Sequence, residues 1–196
     1  MLLKSLGVVG ITVIAGMSAA ALPARAERDL NAYSAVKTNF TVGAWSYKAN
    51  PRYKRKEVDY SSSEKPGTII IETSKRFLYL VLSDGKALRY GIGVGRSGFT
   101  WKGAERISRK AEWPEWHPPA EMIERQPDLP EFMEGGPNNP LGARALYLGA
   151  TEYRIHGTAQ PWTIGQAVSS GCIRLTNEDV IDLYGRAKIG AKVIVN

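Results

Sequence analysis

Two apolar runs of strand length constrain the fold of this chain more than any other feature. Residues 68–73 and 76–82 are rich in isoleucine, leucine, phenylalanine and tyrosine. Short runs of β-branched and aromatic residues are typical of β-strands. The sequence Ser-Asp-Gly-Lys at 83–86 follows the second run and is typical of a hairpin turn. The sequence therefore predicts consecutive paired strands from residue 67 onward.

The next segment, residues 88–95, alternates with a period of two. Leu88, Tyr90, Ile92 and Val94 fall on one face, whereas Arg89 and three glycines fall on the other. This period predicts a half-buried strand. Glycines along one face of a strand indicate that another backbone or a ligand approaches closely there.

The remaining pattern predicts a mostly β, antiparallel, sandwich- or barrel-like domain. Further strands are expected at 105–113, 144–148, 153–156 and 192–195. Residues 113–143 are rich in proline and glycine and predict a long loop with a short possible helix at 120–125, and loops this long usually have a function. One helix is well marked, because Thr176 and Asp179 form a capping box ahead of an amphipathic stripe.

The N-terminus has the order of features of a secretory signal peptide. Lys4 precedes an apolar run over residues 6–22, and Ala24 and Ala26 stand where a signal peptidase cleaves. We expect residues 1–26 to be removed, although the run is almost long enough to remain as a membrane anchor. Residues 27–66 are polar and basic and predict a flexible segment. The folded domain is expected at 67–196.

The chain has one cysteine, Cys172, and therefore no intrachain disulfide. Because the periplasm oxidises exposed thiols, a lone thiol in an exported protein is either buried and inert or kept for its chemistry. The formal net charge is +7, of which Lys4 and Arg25 contribute two within the signal peptide. The remaining positive charge suits an anionic polymer of the cell envelope, and it also suits mere solubility. Nucleic acid belongs to another compartment.

Cys172 stands 16 residues after His156, within the strings Ile-His-Gly-Thr and Ser-Gly-Cys-Ile-Arg-Leu. A free thiol has a pKa of about 8.5 and is mostly protonated at neutral pH. An imidazole within hydrogen-bond reach can take its proton and shift the pair toward thiolate and imidazolium. The backbone N–H groups of Ser170, Gly171 and Cys172 can form a donor pocket for an oxyanion.

These strings, with Ile164-Gly165 before them and Asn177, Asp179 and Leu183-Tyr184 after them, closely resemble the L,D-transpeptidase catalytic domain (YkuD-like, with ErfK-type periplasmic members). The resemblance covers about residues 67–196. It implies an exported enzyme that acts on peptidoglycan tetrapeptide stems through a cysteine thioester, without cofactor or metal. An amine then resolves the thioester, forming a 3–3 crosslink or attaching an envelope protein, for example an outer-membrane protein or lipoprotein, to the wall.

By position in the motif, the resemblance implies Cys172 as nucleophile and His156 as general base. Many relatives carry a second histidine two residues before the cysteine, where this chain has Ser170. The oxyanion environment is therefore expected to use backbone N–H groups and a hydroxyl. Arg174 either binds a stem carboxylate or holds the turn. The implied orienting and oxyanion residues are Gly157, Ser170 and Gly171, and Arg174 and Ser169 are the implied substrate-binding residues. Apart from the resemblance, Trp116 and Trp162 are expected to line the substrate groove or, equally, to pack in the core or lid, and His117 is expected in the groove or lid.

Two alternatives differ in class from transfer to an amine. If water resolves the same thioester, the protein is an L,D-carboxypeptidase or endopeptidase. If Cys172 is inert, it is a non-catalytic β protein that binds the wall. In each case we expect periplasmic localisation, a part in cell-wall organisation and cell shape, and no stable membrane insertion once the signal peptide is cleaved.

Overall fold

The structure is a computed structural model, and it describes residues 50–196. The expected signal peptide at 1–26 and residues 27–49 of the expected flexible segment lie outside the described residues. Within 50–196, no helix is both long enough and apolar enough to cross a bilayer.

Eleven strands and two α-helices make up the described part, together with two single 3₁₀ turns at Pro51–Tyr53 and Pro161–Thr163. The helices are α1 (Ala120–Arg125) and α2 (Asn177–Arg186). The strands are β1 (Lys56–Asp59), β2 (Ile69–Glu72), β3 (Phe77–Val81), β4 (Lys86–Gly91), β5 (Val94–Gly95), β6 (Gly103–Glu112), β7 (Arg144–Leu148), β8 (Arg154–His156), β9 (Ala167–Ser169), β10 (Ile173–Arg174) and β11 (Lys192–Val195).

Nine strands form one sheet in the order β1-β4-β3-β2-β11-β6-β7-β8-β10, and β5 pairs with β9 separately. Most neighbours are antiparallel, but β11 and β2, β10 and β8, and β5 and β9 are parallel. The mostly β fold predicted from the sequence is confirmed. The predicted hairpin is also present, since β3 and β4 pair in antiparallel register from Phe77 opposite Gly91 to Val81 opposite Ala87.

The apolar runs of β2 and β3 are continuous because both faces of these strands are buried. Ile69 and Ile71 join the main core, whereas Ile70 joins a second cluster on the opposite face. Phe77, Tyr79, Val81 and Ala87 complete that second cluster, and Tyr53, Val58 and Tyr60 pack against it. A strand covered on both sides lacks polar alternation, which explains the pattern at 68–82.

Residues 50–66 differ from the flexible segment expected there. Strand β1 pairs along the edge of β4, from Lys56 opposite Arg89 to Asp59 opposite Lys86. The Tyr60 ring stacks on Tyr79 with centroids 4.5 Å apart. Arg55 lies 3.2 Å from Asp182 in α2. The apolar residues of this segment are few and lie between charges, so their pattern is weak, but they cover the second cluster.

The predicted strand at 88–95 divides into β4 and β5, and residues 90–95 are all buried rather than half-buried. The close approach that its glycines predict is present. A Cβ at Gly91 would lie 2.4 Å from the Tyr53 Cβ, and one at Gly95 would lie 2.3 Å from the Phe99 carbonyl oxygen. Protein groups therefore cover the glycine face.

Helix α2 begins as its capping box predicts. The Thr176 side chain accepts a hydrogen bond of 3.2 Å from the Asp179 N–H. Val180 and Leu183 are fully buried in the main core. The helix follows β10 closely, so its packing fixes the end of the strand that comes directly after Cys172.

Candidate active site

The pairing of β8 with β10 brings His156 and Cys172 to one side of the sheet. Ile155 lies opposite Ile173 in parallel register, and both side chains are buried in the main core. Because successive side chains of a strand alternate between faces, the residues on either side of these two face away from the core. Four such residues line a cavity of about 390 Å³: Arg154, His156, Cys172 and Arg174.

The His156 ring is held by a backbone carbonyl. Its Nδ1 lies 2.6 Å from the Gly157 oxygen. Since a carbonyl only accepts hydrogen bonds, Nδ1 carries the proton and the neutral ring keeps Nε2 as its basic nitrogen. The side chain is 3% exposed. Burial, reinforced by the charge of Arg174, lowers the pKa of His156 to about 3. The imidazole is therefore neutral at pH 7.

Burial also raises the pKa of the Cys172 thiol, although the positive charge and backbone N–H of Arg154 oppose the rise. Its Sγ lies 3.9 Å from the Glu152 carbonyl oxygen. The resting site thus contains a neutral thiol and a neutral imidazole, rather than the thiolate–imidazolium pair toward which the sequence points. A neutral thiol and a neutral imidazole suit general-base chemistry, in which the proton leaves the sulfur as the sulfur attacks.

The depressed pKa of His156 links stability to pH. An unfolded histidine binds its proton near pH 6.5, whereas the folded ring binds it only at about pH 3. Between these values the unfolded state holds more protons, so the free energy of unfolding falls as pH is lowered from about 6.5. We expect a slope approaching roughly 1.4 kcal/mol per pH unit.

Urea unfolding from pH 4.5 to 7.5 measures this effect, with His156→Gln as the matched variant that lacks the titrating group. The expected result is a weaker acid destabilisation in His156→Gln than in the unaltered protein. Identical pH dependences of the two proteins would contradict the buried neutral histidine.

The turn before the thiol is fixed by Ser169. Its Oγ accepts a hydrogen bond from the Gly171 N–H at 3.3 Å and donates one to the Cys172 carbonyl at 2.6 Å. From the sequence, the Gly171 N–H is expected to donate to the oxyanion, but in the structure it donates to the Ser169 Oγ within the turn. The backbone N–H groups of Ser170 and Cys172 donate to no other group within residues 50–196, so they remain available to a ligand.

An aromatic pair that the sequence did not single out supports the same turn. Trp101 and Tyr153 stack with ring centroids 4.6 Å apart and planes 6° apart. The Trp101 Nε1–H donates to the Gly171 carbonyl at 3.1 Å. Gly171 has φ +105°, and a Cβ there would lie 2.5 Å from the Tyr153 Cε1. Any other residue at position 171 would hold a disfavoured backbone conformation, and its Cβ would collide with the Tyr153 ring. The turn therefore requires glycine.

We expect Gly171→Ala to slow acylation of Cys172 at least tenfold and to destabilise the fold by about 1–3 kcal/mol, the usual range for a non-glycine residue held in a disfavoured backbone region. Gly136→Ala is the matched control, because a Cβ at Gly136 would meet no atom of residues 50–196 within 4 Å. The measurements are thermal unfolding and single-turnover acylation. Equal behaviour of the two variants would contradict the strained turn.

Arg174 lines the cavity without an acidic partner among residues 50–196. Its Nε is buried and has no hydrogen-bond partner in the described part of the chain, and burial lowers the pKa of the guanidinium. Its backbone N–H donates to the Gly93 carbonyl at 2.9 Å. The backbone of Arg174 thus helps to hold the strand, while its head group presents a positive charge to the cavity.

The other expected site residues divide into two groups. Trp116, Ser169 and Ser170 line the cavity with the thiol. His117 lines a neighbouring cavity instead, where its ring lies 5.0 Å from that of Phe132. Trp162 is 45% exposed on its 3₁₀ turn and does not line the thiol cavity. The sequence did not single out Glu152 and Arg154, although Arg154 stands two residues before His156 and so shares its face.

The chain matches one family model and is similar to several known proteins. The YkuD family, described as the L,D-transpeptidase catalytic domain, matches residues 66–195. The chain is 35% identical over 134 residues to the probable L,D-transpeptidase ErfK/SrfK of Escherichia coli K12, a match covering 64% of this chain and 42% of that protein. It therefore spans less than half the length of this curated relative.

Two solved structures are similar. The crystal structure of a probable carnitine operon oxidoreductase from Brucella melitensis is 50% identical and covers 75% of this chain and 96% of that chain, with a TM-score of 0.51. L,D-transpeptidase 3 from Mycobacterium tuberculosis, in complex with a faropenem-derived adduct, is 18% identical and covers 66% of this chain and 59% of that one, also with a TM-score of 0.51. At 18% identity, the similarity to the Mycobacterium tuberculosis structure shows a shared fold alone.

Proposed function

The chain belongs to the YkuD family of L,D-transpeptidase catalytic domains, and we propose that it transfers peptidoglycan stem peptides through a thioester on Cys172. The observation that carries the proposal is the cavity that Cys172 and the buried, neutral His156 both line, at the paired strands β8 and β10. The similar Brucella protein is described as an oxidoreductase. A thiol and a neutral imidazole that line one cavity favour acyl transfer instead.

In the first half of the reaction, the Cys172 sulfur attacks the carbonyl of the third stem residue while His156 Nε2 takes the thiol proton. The C–S bond forms, and the C–N bond to the terminal D-Ala breaks. The imidazolium returns the proton to the departing amine, so the site regains its neutral histidine. Burial of His156 favours this return, because it disfavours the charged ring.

In the second half, an amine attacks the thioester carbonyl. The new C–N bond forms, the C–S bond breaks, and the amine proton passes through His156 to the sulfur. The donor peptide bond therefore supplies the energy for the new amide bond, and no further co-reactant is needed. The acceptor amine comes from a second stem, giving a 3–3 crosslink, or from an envelope protein that becomes attached to the wall.

Negative charge on the carbonyl oxygen is stabilised by the groups that surround the sulfur. The free backbone N–H groups of Ser170 and Cys172 are the donors, and the Ser170 hydroxyl stands where many relatives have a histidine. Arg154 adds positive charge beside the sulfur. Arg174 binds a carboxylate of the donor stem, since its guanidinium faces the cavity without an acidic partner within residues 50–196.

The place of action is the periplasm. This part of the proposal rests on the signal-peptide pattern of residues 1–26, which lie outside the described residues. Stem peptides are the donors there, and the remaining positive charge of the chain suits an anionic wall polymer. The protein accordingly takes part in cell-wall organisation and cell shape.

Mass spectrometry of muropeptides tests the proposal. Purified protein is incubated with isolated sacculi, with Cys172→Ala as control. The expected products are free D-Ala and 3–3 crosslinked dimers. Tripeptide stems without dimers would identify an L,D-carboxypeptidase that uses the same thioester. Unchanged sacculi, with a thiol that iodoacetamide does not label, would favour the non-catalytic wall-binding protein.

A further inference from the structure

A row of three side chains crosses the sheet toward the thiol. Arg109 of β6 lies opposite Tyr147 of β7, and Tyr147 lies opposite Arg154 of β8. The Arg109 guanidinium carbon lies 3.6 Å from the centre of the Tyr147 ring, and that of Arg154 lies 5.5 Å from it. Two cations thus flank one aromatic ring on three neighbouring strands.

The same row ends at Cys172. Ile173 lies opposite Ile155, so the residue before it stands beside Arg154. Since neighbouring strands are about 4.8 Å apart, the three steps from Arg109 to Cys172 span roughly 14 Å. An extended peptide of about four residues covers that distance, at about 3.3–3.6 Å per residue.

A second cavity of about 530 Å³ lies over this row. Arg109, Tyr147, Trp113 and His117 line it, and Arg154 lines both it and the thiol cavity. We name it the arginine–tyrosine cavity. The shared arginine makes the two cavities neighbours, so one ligand can extend from the sulfur into the arginine–tyrosine cavity.

The two arginines of this cavity have no carboxylate partner within residues 50–196. Arg154 donates from Nε and Nη2 to the Glu152 carbonyl oxygen at 3.1 and 3.0 Å, which leaves its charge uncompensated. Glu112 on the cavity wall lies 3.7 Å from Arg144, which offsets its charge. Glu115 is the other acid there. A guanidinium group without a carboxylate partner binds a carboxylate ligand well, because its N–H fork matches both carboxylate oxygens.

We propose that the arginine–tyrosine cavity binds a carboxylate of the acceptor, the molecule whose amine resolves the thioester. This inference rests on the proposed function and names the place of its second substrate. The terminal carboxylate of the donor lies one residue from the attacked carbonyl, within reach of Arg174 or Arg154 but too close to Cys172 to reach Arg109. An acceptor stem of three residues extends roughly 10 Å, and the diamino side chain that carries its attacking amine supplies the remaining length of the row, with the amine at the sulfur.

The test separates the two half-reactions in the full-length protein. The donor is a tetrapeptide stem ending in D-Ala. The acceptor is a tripeptide stem, which lacks the leaving D-Ala, with its carboxylates free or amidated. Intact mass follows formation of the thioester in single turnover and then its decay against acceptor concentration. The variant is Arg109→Gln, and the control is Arg106→Gln on the same strand, whose side chain donates to the Gly190 carbonyl away from both cavities.

We expect Arg109→Gln to form the thioester at the rate of the unaltered protein, within about twofold. The acceptor concentration for half-maximal decay should rise roughly 10- to 100-fold, the usual loss for one hydrogen bond to a charged group. Amidation of the acceptor should impose the same penalty on the unaltered protein and little more on Arg109→Gln, because the two changes remove one interaction. Arg106→Gln should change neither half-reaction.

A slower first half-reaction in Arg109→Gln would assign the cavity to the donor and overturn the inference. Unchanged dependence on the acceptor, or equal penalties from amidation in both proteins, would overturn it as well. If the unaltered protein forms no thioester with the donor, the proposed function fails and the inference fails with it. Thermal unfolding of each variant shows that these outcomes concern folded protein.

Discussion

Cys172→Ala is expected to abolish the covalent adduct that the unaltered protein forms with a tetrapeptide stem or with a carbapenem, whose strained carbonyl imitates the donor. The reason is that the chain has no second cysteine, and Cys172 lines the same cavity as His156, whose Nδ1 is bound to the Gly157 carbonyl. A serine hydroxyl, such as that of Ser170, is far less nucleophilic than a thiol next to a neutral imidazole.

Intact-mass spectrometry after incubation measures the adduct. The added mass should be that of the stem without its D-Ala in the unaltered protein and zero in Cys172→Ala. Far-ultraviolet circular dichroism checks that the variant is folded. Ser170→Ala is the neighbouring control and should still form the adduct, at a reduced rate. An adduct of similar yield on Cys172→Ala would assign the nucleophile to another residue.

His156→Gln is expected to slow acylation by roughly 10²–10⁴-fold, the usual contribution of a positioned general base. Glutamine keeps polar atoms in the buried site but has no basic nitrogen. Because the thiol is protonated at neutral pH, the variant must react through the small thiolate fraction. Burial raises the pKa of Cys172, so its residual rate should climb with pH to beyond about 8.5, the value for a free thiol.

Stopped-flow acylation from pH 5 to 9 measures both effects. The unaltered protein should keep its rate down to pH 5, because the pKa of His156 is about 3 and the base remains neutral there. His117→Gln is the matched control, since this ring lies in the neighbouring cavity against Phe132, and its acylation rate should stay within about threefold. Should His117→Gln be the slow variant instead, the assignment of His156 as the base is wrong.

The sequence predicted Cys172 and His156 as the catalytic pair, and the structure has both residues lining one cavity; the signals that bring them there are local. The alternation at 153–156 predicts a strand, and the glycine before Cys172 predicts a turn. A second short strand, β10, then completes the parallel pair with β8. Strand period two is enough to place His156 on the face opposite Ile155. The same reasoning reaches Arg154, which shares that face, but a charged residue before a histidine carries no distinguishing pattern by itself.

Other features depend on contacts between distant parts of the chain. The register that aligns Arg109, Tyr147 and Arg154 is set by pairing across three strands, and a single sequence does not state which residues lie opposite each other. Trp101 supports Gly171 from 70 positions away. The depressed pKa of His156 follows from its burial, which results from the packing of the whole domain.

The edge pairing of β1 has a consequence for where the domain can be divided. The family match begins at residue 66, yet β1 covers the outer edge of β4, and Tyr53 and Tyr60 cover the second cluster. A fragment starting at residue 66 would present the unpaired N–H and C=O groups of β4 beside an uncovered apolar face. Such an edge is a template for a strand of another copy. Within the described residues β1 becomes the edge strand instead, and its charged residues Lys56, Glu57 and Asp59 make that edge less suited to pairing with another copy.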